Sequence, residues 1–112
     1  MAKLTLRVDF GPGQAVGPGK IRLLEAIRDS GSISRGGRVL GMSYRRAWML
    51  IDSLNGMFRR KVVTARPGGE RGGGARLTPF GLELIARYRA IEQRSHKAAA
   101  RELAALQRGL RR

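Results

Sequence analysis

The chain has no cysteine, one histidine and one tryptophan, and its eight acidic residues stand against 23 lysines and arginines. Without cysteine there are no disulfides, thiolate metal sites or cysteine nucleophiles, which fits a reducing compartment. A lone histidine, His96, cannot form a zinc cluster, so no metal or other cofactor is expected. The six aromatic residues are not interleaved with the basic loop, which leaves no stacking platform for single-stranded RNA. No apolar run approaches the roughly 18–20 residues of a membrane-spanning helix. The N-terminus lacks the apolar core of a secretory signal, so a cytoplasmic, nucleoid-associated protein is expected. Acidic residues such as Glu25 and Asp29 show no paired spacing for acid–base work. Ser30, Ser32 and Ser34 have no histidine near them in sequence, so no enzyme is expected. Gly11-Pro12-Gly13 begins like a dinucleotide fingerprint, but Val16 stands where the third glycine belongs.

What is present is positive charge. A formal +15 over 112 residues points to a polyanionic partner, and the length suits one domain with a modest core.

The most informative stretch runs from Gly31 to Phe58. Ser34 is a candidate N-cap for a short helix to about Leu40, which Gly41 ends with a left-handed backbone. Ser43 then caps a longer helix from about Tyr44 to Asn55. Ala47, Leu50, Ile51, Leu54 and Phe58 recur at steps of three and four and share one face. The opposite face carries Arg45, Met49 and Asp52, with Arg46 and Trp48 on its flanks. One greasy side and one side opening with arginines is the pattern of a helix that enters a major groove. The pair therefore reads as a helix-turn-helix. Gly36 and Gly37 inside the first helix cost about 1 kcal/mol each relative to alanine. Either that helix begins late or neighbouring backbones approach closely there.

Lys3 to Phe10 alternates strictly and predicts a half-buried strand, and the Gly- and Pro-rich run from Gly11 to Gly19 predicts an irregular connector. Lys20 to about Ser30 predicts a first helix with Ile21, Leu23, Leu24 and Ile27 inward, completing a three-helix core. After the reader helix come two short strands, Val62–Arg66 and Ala75–Leu77, around a glycine-rich tip. Arg66, Arg71 and Arg76 make this a candidate basic wing for a minor groove or flanking phosphates, against the plainer reading of a surface hairpin. Thr78-Pro79 opens a last helix that can run to about Arg108, roughly 45 Å at 1.5 Å per residue. Leu84, Ile85, Tyr88 and Ile91 form a first apolar stripe. Ala99, Leu103, Leu106 and Leu110 continue it, so the helix either pairs with a two-fold mate or folds back on its own domain.

Four segments carry a family likeness: 17–27 (GPGKIRLLEAI), 31–34 (GSIS), 41–48 (GMSYRRAW) and 68–81 (GGERGGGARLTPFG). Over about Leu4 to Ile91 the chain resembles the N-terminal winged-helix domain of ModE-type molybdate-responsive transcription regulators, itself related to the LysR-type DNA-binding domain. The resemblance implies a dimer on an operator, with Tyr44, Arg45, Arg46 and the wing around Arg71 near DNA. It also implies that the helix after Thr78 joins the dimer. Family members carry molybdate-binding domains after the winged helix, so no oxyanion site is carried over to the residues before Arg112. Gly36 and Gly37 stand where such domains usually place alanines.

The expectation is a mainly α fold with a small β wing: a winged helix-turn-helix over residues 1–77 and a C-terminal dimerisation helix with a basic tail over 78–112. The expected function is dimeric, sequence-specific regulation of transcription at an inverted repeat in double-stranded DNA; the alternative is a nucleoid-type architectural protein with little sequence preference. Candidate DNA contacts are Ser43, Tyr44, Arg45, Arg46, Met49, Arg66, Arg71 and Arg76. Arg45 is either a guanine reader or a phosphate contact, Arg46 is a phosphate clamp, and Met49 is placed to meet a thymine methyl. Tyr44 either touches a phosphate or packs beneath the turn. Candidate dimer residues are Leu84, Tyr88, Ile91, Leu103 and Leu106. A separate sensor or effector protein is a further possible partner.

Overall fold

The computed structural model describes residues 2–65 and 74–111. Chain order is β1 (Val8–Gly11), β2 (Gln14–Val16), α1 (Pro18–Ser30), α2 (Ile33–Val39), α3 (Tyr44–Met57), β3 (Val63–Ala65), β4 (Ala75–Leu77), α4 (Pro79–Ala98) and α5 (Ala100–Arg108). The described residues form a mainly helical fold with two antiparallel hairpins, β1–β2 and β3–β4.

Helices α1, α2 and α3 surround a core that includes Ile21, Leu24, Ile27, Ile33, Ala47, Ile51 and Leu54. Burying each of the larger of these side chains stabilises the fold by about 1.5–3 kcal/mol. The two glycines of α2 explain how the helices come so close. A Cβ on Gly36 would lie 3.0 Å from Ile27 of α1, and one on Gly37 would lie 2.9 Å from the Cβ of Ala47 on α3. Of the two readings left open by the sequence, close approach is the correct one. The helix does not begin late; it begins early. Ser32, not Ser34, is its N-cap, with an extended backbone and a hydroxyl oxygen that accepts from Arg35 N at 3.1 Å. Ser34 already lies in the first turn. Capping at Ser32 puts Ile33 into that turn, where it is buried.

The expected strand over Lys3–Phe10 is corrected to a shorter one. Leu4, Leu6 and Val8 are half-buried and Lys3, Thr5 and Arg7 exposed, so the alternation is real, but ladder pairing begins only at Val8. The residues before it lie against helix α4 rather than a strand. Tyr88 Oη donates to the Leu6 carbonyl at 2.6 Å, and His96 Nε2 lies 3.3 Å from the Ala2 carbonyl oxygen. Phe10 is 56 % exposed and rests edge-on against Phe58. The connector is also corrected: it contains β2, because Gly13 takes a φ of +71° and turns the chain back, pairing Val16 with Val8.

Helix α1 starts two residues earlier than expected, at Pro18, where the ring's fixed φ suits a first turn. Lys20 Nζ donates to Ala15 O at 2.7 Å and Ser53 Oγ at 3.3 Å, tying β2, α1 and α3; partial burial lowers its pKa. Across the molecule Arg89 of α4 grips Glu25 of α1 with two bonds, at 2.6 and 3.1 Å, and Glu92 with a third at 2.6 Å. The hydrogen bonds to Glu25 and then Glu92 hold its pKa above the ordinary arginine value. The last helix departs from expectation at one residue. At Ala99 the backbone leaves α-helical values (φ −96°, ψ 8°), dividing the helix into α4 and α5.

Candidate nucleic-acid interface

Helix α3 is set by its cap and its stripe. Ser43 Oγ accepts from Arg46 N at 3.1 Å, satisfying one of the free N–H groups of the first turn. Ala47, Ile51 and Leu54 are buried, which fixes the rotation of the helix about its axis. Arg45, Arg46, Met49 and Asp52 are consequently exposed, while Tyr44, on nearly the same side as Ile51, is exposed because it stands at the start of the helix. Met49 is 59 % and Tyr44 60 % exposed, so two large side chains of this helix stand in solvent. Tyr44 leans edge-on against Trp48, ring centres 6.2 Å apart. Trp48 is half-buried against the core, and its indole N–H is the one buried side-chain polar atom without a partner among the described residues.

The turn before α3 is tight. Gly41 has a φ of +70°, and Met42 N donates to Gly37 O at 2.9 Å. This pair of helices joined by a glycine turn is a helix-turn-helix.

Behind α3 the β3–β4 hairpin is fastened at both ends. At its root Asn55 of α3 accepts from Val62 N at 2.8 Å and Val63 N at 3.3 Å and donates to Val63 O at 3.1 Å. Thr78 Oγ1 donates to Lys61 O at 2.6 Å and accepts from Gly81 N at 3.0 Å, so one side chain both closes the hairpin and caps α4. Toward the tip, Ala75 N donates to Gly31 O at 2.9 Å, joining β4 to the α1–α2 turn. Arg76 is exposed on β4, opposite Thr64. Arg66 and Arg71, with the glycine-rich tip, lie outside the described residues.

Two further arginines, Arg35 and Arg38, are exposed on α2, and their spacing of three puts them on one side of that helix. Sequence reading passed over them in favour of the second helix, although the spacing itself was legible. Arg59, Arg60 and Lys61 are exposed beyond the far end of α3, where Arg60 stacks over Phe80 at 5.1 Å from the ring centre.

The expected dimer residues fall into two places. Leu84, Tyr88 and Ile91 line an apolar groove of about 270 Å³ shared with Phe10, Phe58 and Phe80. Tyr88 is only 2 % exposed and bonded to Leu6, so its side chain is held within its own chain. Burial and the neighbouring Glu92 raise its pKa. Leu103 and Leu106 flank a shallow hollow on α5 beside Ala2 and Gln107.

Together these elements define a winged helix-turn-helix domain followed by a long helix. No protein-family model matches the chain. Curated relatives do. The chain is 41 % identical over 92 residues to the molybdenum transport protein ModE of Azotobacter vinelandii, covering 82 % of this chain and 33 % of that one. It is 49 % identical over 80 residues to the molybdenum-pterin-binding protein MopB of Rhodobacter capsulatus, 71 % and 30 % of the two chains. It is 42 % identical over 81 residues to the DNA-binding transcriptional dual regulator ModE of Escherichia coli K12, 72 % and 31 % of the two chains. The chain thus carries a winged-helix domain of the ModE type and spans about a third of the length of the curated relatives it matches.

Proposed function

We propose that the chain is a dimeric, sequence-specific DNA-binding transcription regulator, with residues 1–77 as the reader and 78–112 as the pairing element. The observation that carries this is the division of α3: Ala47, Ile51 and Leu54 are buried while Tyr44, Arg45, Arg46 and Met49 stand in solvent at its capped start. An α-helix presented this way fits a major groove about 12 Å wide. Arg45 is the base reader, its guanidinium gripping guanine O6 and N7. Arg46 and the hydroxyls of Ser43 and Tyr44 contact phosphates, and Met49 meets a thymine methyl. Arg35 and Arg38 follow the backbone as the first helix crosses it, and the wing with Arg66, Arg71 and Arg76 takes the adjacent minor groove or phosphates. The E. coli relative's name, a DNA-binding transcriptional dual regulator, supports the same reading.

Two copies pair through Ile91, Leu103 and Leu106, and reader helices entering successive major grooves about 34 Å apart would select an inverted repeat. The test is selection from a random duplex pool, followed by titration of the selected and a scrambled duplex over a salt series. Selected DNA should win clearly, and affinity should fall by roughly 10³ or more between 50 and 200 mM salt if six to ten phosphates are engaged. Arg45→Ala should cost about 1–3 kcal/mol at one base position. Equal affinity for both duplexes would replace this reading with that of an architectural DNA-binding protein.

A further inference from the structure

The reader accounts for the basic residues of the helix-turn-helix and wing but not for those of the last helix. From Gln93 to Arg112 the sequence holds six lysines and arginines and one acid, Glu102. Arg94, Lys97, Arg101 and Arg108 are spaced by three, four and seven, and all four are exposed. At roughly 100° per residue they fall within about 60° of one another around the helix. The irregular Ala99 turns this register only slightly, because its φ of −96° and ψ of 8° sum close to the roughly −105° of an α-helix, and that sum sets the turn per residue. The row is about 21 Å long at 1.5 Å per residue. Ala104 and Ala105 leave a shallow depression between Arg101 and Arg108, with Glu102 at its edge. Among the described residues none of the four cations is in an ion pair, whereas Arg87 and Arg89 on the same helix are paired with carboxylates.

Opposite this row lie Leu103, Leu106 and Leu110, the last two 73 % and 70 % exposed. If two copies pair through that apolar side, the cations stay in solvent. We propose that the row Arg94–Lys97–Arg101–Arg108 is a second DNA-binding surface, holding the phosphate backbone of duplex DNA without reading bases. The inference rests on the reading of the chain as a DNA-binding protein and adds a site outside the winged helix. Charge complementarity selects the occupant: 21 Å of duplex carries about 12 negative charges, and the row supplies positive charge along the same length. An anionic membrane is the weaker match. A helix lying in a bilayer interface uses bulky aromatic and apolar residues, and no aromatic residue follows Tyr88.

The experiment replaces all four cations with glutamine in the full chain, a change of exposed residues to another good helix former. Duplex affinity is measured from 50 to 300 mM salt, beside an Arg45→Ala variant. The slope of log affinity against log salt should become shallower by roughly 2 to 4, at about 0.9 per phosphate released. The ratio between selected and scrambled duplex should hold, while Arg45→Ala should lower that ratio. A second variant, Ala104→Glu, sets a negative charge in the row and should weaken both duplexes alike. An unchanged slope in the glutamine variant, with wild-type binding intact, overturns this site and leaves the reader standing. Loss of binding to phosphatidylserine vesicles with duplex binding intact overturns it in favour of a membrane. Failure of the wild-type chain to bind any duplex overturns both proposals.

Discussion

Asn55 gives the sharpest test of how the hairpin is held to α3. Val62 O accepts from Thr78 N, and Val63 stands opposite Leu77 at the next position of the antiparallel ladder, a non-hydrogen-bonded pair whose N–H and C=O point away from β4. Val62 and Val63 are 0 % and 2 % exposed. Their N–H groups and the Val63 carbonyl find their partner in one amide, that of Asn55. Asn55→Ala removes all three bonds. Each buried group left alone costs about 1–3 kcal/mol, and water entering the space vacated by the amide should recover part of that. A net loss of about 3 kcal/mol is expected, which for a domain near 100 residues lowers Tm by on the order of 10–20 °C. Asn55→Asp retains the two accepted bonds and loses the donated one, so it should fall between the two. Urea and thermal unfolding followed by circular dichroism measure the difference. A loss under 1 kcal/mol for Asn55→Ala, with an unchanged m-value, would refute the reasoning that this side chain anchors the hairpin.

Two other outcomes follow from the packing. Gly37→Ala gains about 1 kcal/mol of helix propensity, but its Cβ sits 2.9 Å from that of Ala47, and overpacking costs about 1–3 kcal/mol. Net destabilisation is expected, and Ala47→Gly in the same chain should recover part of the overpacking cost; a double-mutant cycle of unfolding free energies with no coupling would contradict it. Burial raises the pKa of Tyr88 above 10.0, so the folded state resists ionisation that the unfolded chain allows. Its contribution is full below pH 10 and lost as the pH climbs through the raised folded value. Tyr88→Phe should be less stable at pH 8 by about 1 kcal/mol through the lost bond to Leu6, and should show a smaller decline above pH 10 in the same unfolding assay.

Much of this arrangement is legible because local signals agree with the tertiary ones. Ser43, Gly41 and the Ala47–Ile51–Leu54 spacing all specify the same helix, and Thr78-Pro79 specifies the start of α4. The signals fail where they compete or vanish. Ser32 and Ser34 are equally good caps by type; the choice is made by Ile33, whose burial is a tertiary fact. β2 is three residues between two Gly-Pro-Gly runs, too short for a period to show. The interruption at Ala99 falls in a run of three alanines, the residue most favourable to a helix, and no residue type there marks it. Asn55 could not be picked out because its partners are backbone groups seven and eight residues away, brought together only by the fold. Arg35 and Arg38 were legible as a pair, but their exposure depended on where α2 begins.

The binding of the first residues to the last helix constrains how this chain can be dissected. Ala2 N donates to Gln107 Oε1 at 2.6 Å, and Leu6 is held by Tyr88 across 82 positions. During synthesis the segment around Leu4 and Leu6 emerges well before α4 and has no seat until that helix follows, so its docking is a late event with a long loop to close. A truncation meant only to abolish pairing by removing α5 would also free Ala2 from Gln107, although Leu6 would stay bonded to Tyr88 of α4. Point changes on Leu103 and Leu106 are therefore the cleaner test of the proposed pairing.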